Sequence, residues 1–136
     1  MRRFLLDTGI AGHYINMRRG VYQKARQEIA RGNMVGIGIP VLAELEYGTQ
    51  NSDDPVKSLK LLKRALPVLC VWPITFESAT HFGRISTEMK RLGLTIGQID
   101  RLIAGIAFSL PNCTVVSADN DMLRVPGLPV ENWLLT

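Results

Sequence analysis

Cysteine is scarce in this chain. Two residues, Cys70 and Cys113, stand far apart among 136. A disulfide-stapled scaffold is excluded, and without a CxxC or HxxxH spacing there is no sign of a zinc site. Two buried thiols in a reducing compartment are the expected state. The sharper alternative, a nucleophilic pair of one thiol with His13 or His81, lacks any neighbour in the sequence that would activate the sulfur. Long apolar runs are missing too, and none approaches the ~20 residues of a membrane-spanning helix. The opening stretch Phe4-Leu5-Leu6 is cut by Asp7 after three positions, too short for a secretory leader. A cytoplasmic protein without membrane association is therefore expected. Repeats, low-complexity tracts and linkers are also absent, so a single domain over residues 1–136 is expected at this size.

What is present is ordinary in amount and uneven in place. Hydrophobic residues make up 46% and charged residues 21%, which suits a globular core rather than a disordered chain. The net charge is +4. Residues 1–33 carry seven basic side chains against Asp7 and Glu28, a balance of +5, and the remainder balances at −1. A basic region beside isolated acids fits a polyanion partner, with Arg18, Arg19, Lys24, Arg26 and Arg31 as candidate RNA-binding residues. A solvated surface that keeps the protein soluble explains the same charges as well.

Periodicity and breakers predict strands over 3–6, 34–39, 68–72, 114–117 and 130–132. They predict helices over 8–17, 22–30, 40–47, 56–66, 75–92 and 98–110. Gly20, Gly32, Gly48 and Gly93 act as stops, and Asp54 before Pro55 is a helix start. Leu59, Leu62 and Leu66 fall in register on one helix face, and with helix 75–92 they offer apolar surface for an interface. The small residues Ala104, Gly105 and Ala107 are expected to lie close against a sheet. Apolar strands alternating with helices indicate an α/β fold with a mainly parallel central sheet, whose site lies beyond the carboxyl ends of the strands.

That rule picks out the acids. Asp7 ends the first strand, Glu44 lies about a turn past the second, and Asp119 and Asp121 follow the fourth. Asp100 opens the helix over 98–110. Each has a plainer use: Asp7 as a helix cap, Asp100 as a complement to a helix dipole, Asp119-Asn120-Asp121 as a turn. Their convergence is what points to chemistry. Like charges repel, and a cluster of hard oxygen donors suits Mg²⁺ or Mn²⁺ and phosphate-ester hydrolysis.

The same residues carry a resemblance. Phe4-Leu5-Leu6-Asp7-Thr8, Leu42-Ala43-Glu44-Leu45-Glu46-Tyr47-Gly48, the run from Ile96 to Ala107 around Asp100, Val115-Val116-Ser117-Ala118-Asp119 and the ending around Pro126-Gly127 and Trp133 together resemble the PIN domain of VapC-type toxin ribonucleases. The resemblance spans the chain with its motifs in order. It implies a three-layer α/β/α sandwich and a Mg²⁺-dependent (or Mn²⁺-dependent) endoribonuclease that is the toxin of a type II toxin–antitoxin system. It also implies a homodimer and a cognate antitoxin. Asp7, Glu44, Asp100 and Asp119 match the metal-binding and catalytic acids, with Asp121 the alternative to Asp119. Gly9 stands where most relatives have Asn. The other readings are a non-toxin PIN-domain nuclease of RNA processing and a flavodoxin-like metal-dependent phosphotransfer domain. The latter needs a second acid close after the first strand, where Gly9 stands, or a phospho-acceptor after the third, which ends in Trp72-Pro73.

Overall fold

A computed structural model describes residues 1–134, so the last two residues of the expected domain span lie outside the described residues. Five strands form one sheet: β1 (Arg3–Leu6), β2 (Met34–Gly38), β3 (Cys70–Trp72), β4 (Cys113–Val116) and β5 (Val130–Glu131). Every pairing is parallel, in the order β3-β2-β1-β4-β5. The flavodoxin-like order 2-1-3-4-5 is different, which removes the phosphotransfer alternative. The three central strands are buried along almost their whole length, as parallel strands covered on both faces must be.

Seven helices connect them: α1 (Thr8–Ile15), α2 (Val21–Ala30), α3 (Ile39–Gln50), α4 (Pro55–Ala65), α5 (Phe76–Arg91), α6 (Gln98–Ser109) and the single turn α7 (Asn120–Leu123). Right-handed crossovers carry β1 to β2 to β3 in one direction and then back across the sheet to β4. This puts α1–α4 on one face and α5 and α6 on the other. α1 packs on α2, α3 and α4, and α5 lies along α6. No helix among the described residues is long and apolar enough to cross a membrane.

Caps set several boundaries. The Asp54 carboxylate accepts from the Lys57 amide at 3.1 Å ahead of Pro55 and starts α4. Thr75 and Ser78 form a reciprocal capping box at α5. Four expectations shift. α1 stops at Ile15, two residues early, because Met17 turns left-handed at φ 53°. α3 runs through Gly48 to Gln50, since one glycine costs a helix only about 1 kcal/mol. Ile39 belongs to α3 rather than β2. β3 begins at Cys70 because Leu66–Val68, held by Pro67, winds into a 3-10 turn.

Two glycines mark close backbone approaches. A Cβ on Gly36 would sit 2.3 Å from the Cys70 carbonyl oxygen across the β2–β3 pair. A Cβ on Gly105 would sit 2.6 Å from the Ser78 carbonyl oxygen. The small-residue stripe of α6 therefore admits the backbone of α5 at Gly105, rather than serving only the sheet as expected. Leu62 is wholly buried, so the expected leucine interface loses its central member to the core.

Candidate active site

The order of the strands reverses between β1 and β4, and α/β sheets open a crevice there. Asp7 leaves β1 into it and Asp119 leaves β4. Glu44 reaches it from the second turn of α3 and Asp100 from the first turn of α6. Asp7, Glu44, Asp100 and Asp119 line one cleft of about 400 Å³, together with Thr8, Gly9 and His13.

Local chemistry fixes each acid. Asp7 is 8% exposed; its Oδ1 accepts from the Ile10 amide at 2.8 Å, and the buried Ser117 hydroxyl also bonds its carboxylate. The same Ser117 oxygen accepts from the Asp119 amide at 3.0 Å, so one hydroxyl ties the ends of β1 and β4 together. Asp119 caps α7, its Oδ1 accepting from the Asp121 amide at 2.9 Å. Thr8 donates its hydroxyl to Glu44 Oε1 and joins α1 to α3. Capping and turn roles thus coexist with convergence: the acids that start helices also face the cleft.

The electrostatics are those of crowded anions. Burial, and then the charges of Asp119, Asp7, Asp121 and Glu44, push the Asp100 carboxyl up to about 6. Burial raises Asp7 as well, against the Ser117 and Ile10 hydrogen bonds that favour its charged form. One oxygen from each of Asp100, Asp119 and Asp121 lies within 4.8 Å of the others. Asp7 and Glu44 line the cleft without joining that triad at this spacing. Asp119 and Asp121 both lie near Asp100, but only Asp119 lines the cleft with Asp7 and Glu44. Arg124 stands 3.6 Å from Asp121 as a partial counter-charge.

Ser117, Thr8 and His13 were not singled out for this site from the sequence. The Asp-Thr pair was the available signal for Thr8. Ser117 offered only its place at the end of a strand.

The basic residues of the first third are arranged differently from the expectation. Arg18, Arg19 and Arg26 are exposed. Lys24 and Arg31 flank the buried Glu28 carboxylate at 3.8 and 2.7 Å. None of the five lines the carboxylate cleft. Burial pushes Cys113 up to about 12 and also raises Cys70, which is half-buried rather than buried as expected. That works against a thiolate nucleophile at either position.

Residues 4–128 match the PIN domain. The chain is 32% identical to Ribonuclease VapC2 of Rickettsia felis, over 96% of this chain and 97% of that one. It is also 32% identical to the tRNA(fMet)-specific endonuclease VapC of Shigella flexneri, over 98% and 99%. Among solved structures, VapBC2 from Rickettsia felis bound to a DNA fragment from its promoter superposes with a TM-score of 0.88 at 31% identity, covering 96% of this chain and 98% of that one. DNA-bound VapBC from Salmonella typhimurium gives 0.88 at 30%, covering 98% and 99%.

Proposed function

Since the chain belongs to the PIN-domain family, we propose that it is the toxin of a type II toxin–antitoxin pair, an endoribonuclease that hydrolyses RNA phosphodiester bonds at the carboxylate cleft. The observation that carries this reading is the meeting of four acids from β1, α3, α6 and the β4 end at the sheet's crevice.

A divalent cation fits the site by its donors. The oxygens of Asp100, Asp119 and Asp121 are close-set and hard, and their mutual repulsion makes a cation welcome. Asp7 and Glu44, which line the same cleft, would join them in holding the ion, and Mg²⁺ or Mn²⁺ suits such donors. When bound, the ion supplies polarisation of a phosphoryl oxygen and a nucleophilic water. The chain does the rest. Ser117 and the Ile10 amide hydrogen-bond the Asp7 carboxylate and favour its charged form, against the burial that disfavours it. Thr8 aims Glu44, which accepts a hydrogen bond from the attacking water and orients it. The walls formed by α1 and α6 confine one phosphate to the acids.

The partners follow from the family reading: RNA as substrate, a cognate antitoxin as inhibitor, and a second copy of this chain. Support for the homodimer is the apolar surface left uncovered along edge strand β3 and the start of α5. There Val71 is 39%, Ile74 44% and Phe76 91% exposed.

The test is cleavage of a pool of cellular RNA. Discrete new ends with Mg²⁺, none with EDTA and none with Asp100→Asn are expected. Equal cleavage in EDTA would overturn the metal-dependent reading. Full activity of a folded Asp100→Asn protein would overturn the site.

A further inference from the structure

On the outer side of α6 lies a second cleft, of about 520 Å³, between the last turns of α5 and the loop entering α6. Its charge is the opposite of the first. Lys90 and Arg101 line it, with the hydroxyl residues Ser86, Thr87 and Thr95, and no carboxylate does. Arg101 is held in an unusual way for a half-buried guanidinium. One Nη donates to Ser86 Oγ at 2.8 Å and the plane lies over the Phe82 ring at 5.1 Å. It has no acid partner, and its Nε–H is buried without an acceptor, alone in this respect among the described residues. A buried unpaired donor is costly, and proteins rarely keep one without a use. Lys90 is likewise without an ion pair among the described residues.

The two clefts are neighbours. Arg101 follows Asp100 directly in α6. The loop wall of the basic cleft runs into Gly97, where a Cβ would meet Asp100 Oδ2 at 3.8 Å. One turn of α6 thus presents an anion cluster on one side and an uncompensated cation on the next.

We propose that the α5–α6 cleft is a phosphate-binding subsite, which takes a backbone phosphate of the RNA strand flanking the one cleaved at the acids. The proposal rests on the ribonuclease reading for its source of phosphate. Arg101 supplies planar, charge-assisted hydrogen bonding, Lys90 a point charge and Thr95 a hydroxyl donor. A ribonuclease whose reaction centre is negative needs positive groups beside it to draw in a polyanion, and this cleft supplies them where the basic α2 region does not reach the acids.

The experiment has two arms. In EDTA, where cleavage stops, the affinity of a single-stranded oligoribonucleotide is measured against salt for the wild type, Arg101→Gln and Lys90→Gln. Each variant should bind about 10-fold more weakly, with the salt slope reduced by about 0.7, the value for one single-strand phosphate contact. Arg101→Lys should recover part of the loss. Amide spectra with inorganic phosphate as probe should shift at residues 90–96 and at Arg101. Unchanged RNA affinity and slope in both variants would overturn the proposal, even if inorganic phosphate binds. So would a loss confined to antitoxin binding. If the wild type cleaves no RNA yet the variants bind it less tightly, the ribonuclease reading fails and the phosphate subsite stands.

Discussion

Asp100 keeps its proton up to about pH 6 because it is half-buried among other carboxylates. In the unfolded chain the same group releases it near its ordinary value of 3.8. Between those values the folded state binds more protons, so stability falls as pH rises through the window. The metal-free protein should therefore show a Tm that drops from about pH 4 to above pH 6. Mg²⁺ should recover it at pH 7.5 more than at pH 5, because a cation must displace that proton. Asp100→Asn should flatten both dependences and lower cleavage by more than about 100-fold, since even residues behind metal ligands cost 10–100-fold. A pH-independent melting curve would show that the repulsion is not felt. Thr8 donates a hydrogen bond to Glu44 and, on the proposed reading of the cleft, positions that carboxylate. Thr8→Val should cost about 10–100-fold in kcat while the melt stays unmoved. Gly9 is a contrasting case. A Cβ there would lie 3.8 Å from Asp7 Oδ1, an ordinary contact. The space beside Asp7 therefore does not exclude a Cβ at this position.

At the level of elements, the α5–α6 pair is the tightest helix contact outside the sheet, and Gly105 sets its spacing. Gly105→Ala drives a methyl toward the Ser78 carbonyl and should lower stability by about 1–3 kcal/mol, read by urea denaturation. Because α6 carries Asp100, the same change should also weaken Mg²⁺ binding; a neutral effect on both would mean the helices are free to part. This contact also marks the limit of what the sequence told. Most strands and helix starts, and the meeting of the four acids in one cleft, were legible, because apolar runs, Pro55, Thr75 and strand-end carboxylates follow local rules. Gly105 read as small, but nothing local said that its neighbour would be a helix backbone. The ends of α3 and α1 were misjudged: one glycine costs too little to stop α3 at Gly48, and left-handed Met17 ended α1. Glu28 looked like one acid in a basic stretch. Helix spacing alone puts Lys24 and Arg31 beside it, with Asn33 just past the helix end; what only the fold shows is that its carboxylate is buried.

Across the whole molecule, the β3 edge of the sheet, uncovered among the described residues, is where a partner strand would fit. β3 pairs with β2 alone, so its outer hydrogen-bonding groups lack a strand neighbour, and natural proteins seldom leave such an edge apolar without covering it. Yet Val71, Ile74 and Phe76 are exposed along this edge and at the start of α5. Of the apolar surface expected from Leu59, Leu62, Leu66 and helix 75–92, Leu62 is spent in the core and Leu66 packs against it, while Phe76 at the start of α5 stays exposed. A two-fold contact requires only one self-complementary patch, and an edge strand with flanking apolar side chains is such a patch. The wild type should therefore scatter light as a dimer at micromolar concentration. Phe76→Asp places a charge on a side chain that is 91% exposed within one chain, so it should leave the fold of the protomer intact. In a dimer built on this edge it buries an unpaired charge and should shift the protein to monomer with an unchanged circular dichroism spectrum. A wild-type monomer would overturn the assembly, and a dimer indifferent to Phe76→Asp and Val71→Asp would place the contact on another face.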